Sequence, residues 1–285
     1  MQKRLSQDEY PILCEGTHTS FYLLSDKLKH RKKILRLHNI EHIYYRELTR
    51  WEKNLFKKLY FGIESALLKR FEENLFSKIH ILSVSKNDAK TINESNSNAN
   101  VHFLPVFLPW KQMKSETGKG TYCFYHGNLS VSENAEAATW LLENVFSQLD
   151  IPFVIAGKNP PKSLINLAHK HKHTCLVENP SEFEMEDMIR KAHLHILPSL
   201  NRTGVKLKLL HVLFSGRFCL TNEACMEGSG LEKACIEFTD EEHCISLIKK
   251  YYQIAFSEDD ISKRISIIHQ TYNEEKNVQE IIKWL

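Results

Sequence analysis

The chain has 285 residues, of which 42% are hydrophobic and 26% charged, enough for one large core or two ordinary ones, so a two-domain soluble protein is the expectation. Lys and Arg number 38 against 35 Asp and Glu, a net charge of +3, and the basic residues interleave with acids along helices. A nucleic-acid partner is therefore not expected.

At the start, Met1-Gln2-Lys3-Arg4 opens a polar helix-like stretch with no apolar region behind it, so no secretory signal is expected. No run of about eighteen apolar residues follows to span a bilayer. Residues 12–14 and 33–37 read as short buried strands, and residues 41–76 as one or two long helices by period. The lysine-rich stretch 51–69, with Phe56, Leu59, Tyr60 and Phe61, reads first as a helix packing its apolar stripe on a sheet. Its second reading is a surface lying on an anionic membrane that holds a lipid-linked acceptor, a peripheral contact. Residues 79–85 read as a strand, with Asn87-Asp88 opening a helix. The Ser/Asn cluster 93–100 reads as a loop, and 101–104 as one more strand. Residues 109–120, with Lys111, Lys114 and two glycines, look like an interdomain linker.

Beyond residue 120 the pattern becomes regular. Apolar strands at 122–125, 153–156, 175–177, 195–197 and 218–220 alternate with helices from Asn134, Lys162, Glu182, Lys206 and Asp240. Such near-continuous apolar strands mean a parallel sheet covered on both faces, a Rossmann-like half. Ligands of these sheets bind beyond the carboxyl ends of the strands. The residues there are His126-Gly127-Asn128, Gly157-Lys158-Asn159, Glu178-Asn179-Pro180 and Ser199 to Lys208. In the last of these a loop with Thr203-Gly204 leads into a helix whose first turn carries Lys206 and Lys208 and which stops at Gly216. A helix N-terminus with two lysines describes an anion site. Seven cysteines, an odd number, show no Cys-x-x-Cys spacing. Cys123, Cys175 and Cys219 fall in the apolar runs as small hydrophobes, which favours the reducing cytoplasm.

In the first half, Glu15-Gly16-Thr17-His18 follows the first strand and Arg36-Leu37-His38-Asn39-Ile40-Glu41-His42 the second. The latter also spells the H-x-x-E-H pattern of inverzincin metalloproteases, which needs both histidines on one helical face. Residues 33–37 read as a strand, however, which leaves His38 at a strand end.

Pro198-Ser199, Gly204, Lys208, Gly216 and Glu227-Gly228 resemble the donor-site segment of retaining glycosyltransferases of the family four type, which have the GT-B fold. The wording Thr-Gly-Val-Lys-Leu-Lys-Leu-Leu, followed by Gly-Arg-Phe, is similar to a Bacteroidota-like branch. The resemblance reaches back to Arg36-Leu37-His38-Asn39 and forward to the C-terminal helix. It implies an α/β chain of two Rossmann-like domains facing a cleft. These would be a partial acceptor-side domain over 1–108, a linker over 109–120, a nucleotide-sugar domain over 121–270, and a C-terminal helix over 271–285 packing back on the first.

By the same resemblance, Gly127 and Lys208 face the diphosphate, while Asn179 and Glu184 lie near the base. Asn128, Thr203, Gly204, Lys206 and His211 complete the donor side, and Glu15, His18 and Arg36 the acceptor side, with His38 in the active site. The family commonly carries a pair of glutamates around this helix start, one toward the donor sugar and one on the ribose hydroxyls. Here the matching positions hold Thr203 and His211, which leaves donor identity open.

Of ten glycines only Gly16 and Gly62 precede Gly118, so no Gly-rich turn follows the first strand and the N-terminal half looks short of its opening strands. The function expected is transfer of a sugar from a nucleoside diphosphate sugar to a glycan or lipid-linked acceptor, with retention. No Asp-x-Asp occurs, so no metal bridging the diphosphate and no cofactor are implied. The alternatives are a non-catalytic nucleotide-binding or assembly subunit and, third, the metalloprotease.

Overall fold

The computed structural model describes residues 2–5 and 7–285. Met1, which opens the polar N-terminal stretch, lies outside the described residues. The chain forms two compact units. One runs from the N-terminus to Phe107 and takes in Thr203–Val205 and Thr271–Leu285; the other comprises Leu108–Arg202 and Lys206–Gln270.

The first unit begins with a short helix α1 (Gln2–Leu5) and strand β1 (Ile12–Glu15), then three 3-10 turns, Thr17–Thr19, Phe21–Leu24 and Asp26–Leu28. Strand β2 (Lys33–Leu37), helices α2 (Glu41–Trp51) and α3 (Leu55–Phe76), strand β3 (His80–Ser83), helix α4 (Lys86–Ser95) and strand β4 (Asn100–Phe103) follow. The strands lie in the order β1-β2-β3-β4, all parallel. Alternation along the strands divides the core between the two sheet faces. Leu35, Leu37 and Ile81 pack with Leu75, Phe76 and Ile92, while Ile34 and Leu82 pack with Leu104 and, from the C-terminal helix Glu274–Trp284, Ile281 and Trp284. The Trp284 ring stacks on His80 at 3.8 Å. Both faces are covered, as a parallel sheet requires.

Two local expectations are corrected here. The N-cap of α4 is Ser85, whose side chain accepts from Asp88 N, and not Asn87-Asp88, since serine at that position reaches the amide three residues on. The Ser/Asn cluster is helical through Ser95 because Ile92 is buried and holds the last turn on the core.

The second unit alternates strand and helix: β5 (Cys123–Asn128), α5 (Ser132–Trp140), β6 (Phe153–Lys158), α6 (Lys162–Ala168), β7 (Thr174–Glu178), α7 (Glu182–Lys191), β8 (Leu194–Leu197), α8 (Leu207–Ser215) and β9 (Phe218–Thr221). Helix α9 (Glu223–Met226), strand β10 (Ile236–Glu237) and helices α10 (Glu241–Tyr251) and α11 (Glu258–Thr271) complete it. Strand β10, two residues long, gives no sequence signal of its own. The strand order is β10-β9-β8-β5-β6-β7, all parallel. Cys175, which falls in one of the apolar runs, is exposed because β7 is the edge of this sheet.

Residues 108–120 contain no helix or strand and pack on this second unit. Lys114 N donates to Phe214 O at 2.7 Å, and Gly118 and Phe256 exchange backbone hydrogen bonds at 2.8 and 3.0 Å. Arg264, 4% exposed, donates to Leu213 O, Gly216 O and Arg217 O at the C-terminal end of α8, where a cation offsets the unsatisfied carbonyls. Gly216 follows that helix as its C-cap, and the position takes glycine because a Cβ there would fall 2.3 Å from His195 Nε2.

Candidate functional site

In the second unit the strand order reverses between β5 and β8, the position where ligands of open parallel sheets bind. The helices that follow these two strands, α5 and α8, both begin at this point, and neither has a side-chain N-cap. Lys208, in the first turn of α8, crosses the gap and donates to Asn134 Oδ1 on α5 at 3.1 Å. Its ammonium lies 5.1 Å from the centre of the Tyr125 ring. Ser199, just past β8, makes a second link by donating to Glu133 Oε1 at 3.0 Å. Lys208 forms no ion pair among the described residues, and burial lowers its pKa. A half-desolvated cation held by an amide and an aromatic face is poised for an anion.

Beside it, the ends of β5, β6 and β7 line a cavity of about 680 Å³. Its wall includes Trp110, Gly127, Asn128, Lys158, Glu186 and His211. Gly127 belongs there for a steric reason, since a Cβ would lie 3.3 Å from the Asn134 side chain. Asn128 turns its Oδ1 back to accept from Ser130 N at 3.2 Å, which shapes the turn after β5.

Glu186 and His211 form the polar side of the cavity. His211 Nε2 lies 2.5 Å from Glu186 Oε2, and Glu186 Oε1 accepts from Lys114 Nζ and Ser215 Oγ, both at 3.2 Å. Burial opposes ionisation of Glu186, yet the hydrogen bonds from His211 and Lys114 hold its pKa below the usual glutamate value. Trp110 stacks on the His211 ring at 4.7 Å. Below them His126 is buried, and desolvation, with Lys208 and His211 nearby, lowers its pKa to about 3.

Two other expected donor residues have structural work of their own. Asn179, at φ 50°, accepts from Asn159 N at 2.8 Å and so ties the turn after β7 to the turn after β6. Glu184 is the third residue of a capping box with Ser181, its carboxylate accepting from Ser181 N at 2.8 Å. Lys206 is the N-cap residue of α8.

Thr203 and Gly204 belong to the first unit. Gly204, at φ 65°, donates its N–H to Asp88 Oδ2 at 3.2 Å, and a Cβ there would overlap Asn39 Oδ1 at 1.9 Å. Both the dihedral and the contact therefore require glycine.

The other expected residues of the first unit gather where β1 and β2 end. Glu15 and Arg36 are register partners. Glu15 accepts from Arg36 Nη1 at 3.2 Å, and its other oxygen lies 2.7 Å from His38 Nε2. His18 Nε2 lies 3.6 Å from Glu41, whose carboxyl is pushed up by burial. Beneath them Glu72, with no exposure, accepts from Thr17 Oγ1 at 3.0 Å, from Glu41 N at 2.9 Å and from His42 N at 3.1 Å, and lies 2.6 Å from His42 Nδ1. It caps α2 from another helix.

This geometry overturns the metalloprotease reading. His38 precedes α2 and pairs with Glu15, whereas His42 lies in its first turn and pairs with Glu72. The two histidines do not share a helical face. Among the described residues no three His, Cys, Asp or Glu side chains converge on one point for a metal.

Sequence reasoning missed Glu186, Trp110, Asn134 and Glu72. None is adjacent in sequence to the partner it serves, and Trp110 fell in the stretch read as a linker.

With this geometry in view, residues 120–252 match the family model described as glycosyl transferases group 1. That match covers just under half of the chain, and the two parallel sheets have the GT-B fold of the solved structures below. Among curated proteins the chain is similar to an uncharacterized 44.6 kDa protein in the cps region of Klebsiella pneumoniae, at 27% identity over 95% of this chain and 73% of that one. Among solved structures it is similar to TarM, with TM-score 0.69 and 13% identity over 95% of this chain. The chain spans 54% of the TarM chain. It is also similar to sucrose-phosphate synthase from Thermosynechococcus elongatus, with TM-score 0.71 and 8% identity over 99% of this chain and 76% of that one. A third, Anabaena HepE solved with UDP and glucose, gives TM-score 0.69 and 10% identity over 99% and 78%.

Proposed function

We propose that the chain transfers a sugar, with retention, from a nucleoside diphosphate sugar to a glycan or lipid-linked acceptor in the cytoplasm. The observation that carries this reading is Lys208, half-buried at the switch point of the second sheet and held by Asn134 without an ion pair among the described residues. In the reaction the bond from the sugar to the diphosphate breaks, a bond to the acceptor oxygen forms, and the acceptor proton passes to the departing diphosphate. Lys208 and the start of α8 stabilise the charge that develops on that diphosphate.

The adjacent cavity is within the range that holds a nucleotide, with Gly127 letting the ligand approach the backbone. The donor position where the family carries a glutamate on the ribose holds His211 in this chain. Glu186, brought to it by α7, supplies a carboxylate to the same place. In the first unit His38, backed by Glu15 and Arg36, serves the acceptor side. The name of the Klebsiella relative, a protein in a cps region, supports an acceptor that is part of a polysaccharide. The HepE complex with UDP and glucose supports a uridine nucleotide as the first donor to try.

Calorimetric titration of the protein with UDP, GDP and ADP tests the donor side. Binding of one nucleoside diphosphate, weakened by Lys208→Ala, is expected; no binding of any, or equal binding by the variant, refutes the assignment.

A further inference from the structure

Helix α3 leaves a long apolar stripe uncovered. Phe56 is 87% exposed, Leu67 62%, and Tyr60 and Ile63 each 53%. Their spacing of four, three and four residues places them on one helical face, which Leu55 and Leu59, also exposed, extend along one side. The usual reading of such a periodic helix is an apolar stripe turned to the core, and in α3 that holds only toward the C-terminal end, at Leu68, Leu75 and Phe76. Over residues 55–70 the same helix carries Lys57, Lys58, Lys69 and Arg70 against the acid Glu64, and Lys69 pairs with Glu73 one turn on at 3.9 Å. Lys57 and Lys58 are exposed and enter no ion pair among the described residues.

We infer that this stripe docks the first unit on an anionic lipid surface. Charge decides the occupant. A second copy packed parallel would bring Lys57 and Lys58 against the same lysines. One packed antiparallel would bring them toward Lys69 and Arg70 with only Glu73 to offset them, whereas an anionic headgroup layer neutralises every free lysine. Phenylalanine and tyrosine suit the boundary between headgroups and acyl chains, with the ring buried and the phenol hydroxyl wet. Among the described residues no helix is long and apolar enough to cross a membrane, so the contact is a helix lying in the interface. This inference goes beyond the transferase reading and stands or falls without it.

The test is flotation of the purified full chain with vesicles of phosphatidylglycerol and phosphatidylcholine, beside vesicles of phosphatidylcholine alone. Far-ultraviolet circular dichroism checks that each variant is folded. The protein is expected to float with the anionic vesicles only. Lys57→Ala with Lys58→Ala is expected to lower its partition about twenty-five-fold, at about fivefold per lysine. Phe56→Ser with Leu59→Ser is expected to abolish it at the same lipid concentration. Absence of flotation, equal flotation with neutral vesicles, or indifference to either pair of substitutions overturns the proposal. So does self-association in sedimentation that Phe56→Ser with Leu59→Ser removes, which would give the stripe to a second copy.

Discussion

Glu186 on α7 and His211 on α8 meet at 2.5 Å, so a carboxylate and an imidazole from two separate helices make one polar wall of the cavity beside β5 and β6. Glu186 also binds Lys114 and Ser215, which ties the segment before β5 to both helices.

Because those hydrogen bonds outweigh burial and lower the Glu186 pKa, its contribution to stability is complete above the unfolded glutamate value and disappears as pH falls through the lower folded value. Thermal unfolding of wild type and Glu186→Gln from pH 7 to pH 3 is expected to show a gap at neutral pH that closes in acid. A gap independent of pH would remove the charge from this interaction.

His126 and His80 report the opposite protonation. Burial lowers them to about 3 and about 4, while the same imidazoles in the unfolded chain protonate near 6.5. Unfolding therefore takes up protons, and stability is expected to decline as pH drops from about 6.5 toward 4. Imidazole resonances of His126 that stay unshifted between pH 8 and pH 5 would agree; titration near 6.5 would not.

Much of the second unit was legible because its strands are continuous apolar runs and its helices start at the residues that signal them. Lys162 and Glu182 are first helical residues, and Asp240 caps α10 through His243 N. Lys208 stood out because a lysine in the first turn after a parallel strand has few other reasons to be there. Glu186 did not, since its partner lies 25 residues away and only tertiary packing joins them. Periodicity also misled at α3: it reports that a helix has an apolar face, but not whether anything covers that face. Glu184, read from the resemblance as lying near the base, also has a local role that its spacing from Ser181 announces, the capping box of α7.

Glu72 should be the most costly surface-invisible change in the first unit. Glu72→Ala leaves Glu41 N, His42 N and Thr17 Oγ1 without their acceptor, and removing one partner of such a buried network costs about 3–5 kcal/mol. Urea denaturation monitored on the purified protein checks this. A loss below about 1 kcal/mol would mean that water or a neighbour replaces the carboxylate.

Arg264 is expected to matter to the site without touching it. Arg264→Met keeps much of the volume but takes this donor from the carbonyls of Leu213 and Arg217, while Gly216 O keeps Ser115 Oγ, at a cost of about 2 kcal/mol or more. Faster amide exchange along α8 in the variant, with strands β6 and β7 unchanged, is the expected pattern. Uniform loss of protection throughout the unit would show that Arg264 supports the whole fold rather than this helix.

The most direct measurement of the central claim is release of nucleoside diphosphate from a panel of nucleotide sugars, by wild type and by Lys208→Ala in parallel. One donor turned over by wild type, with the variant slower by about two to three orders of magnitude, is the result expected for a group that stabilises the departing diphosphate. Equal turnover by the two proteins, or none from any donor, would contradict it.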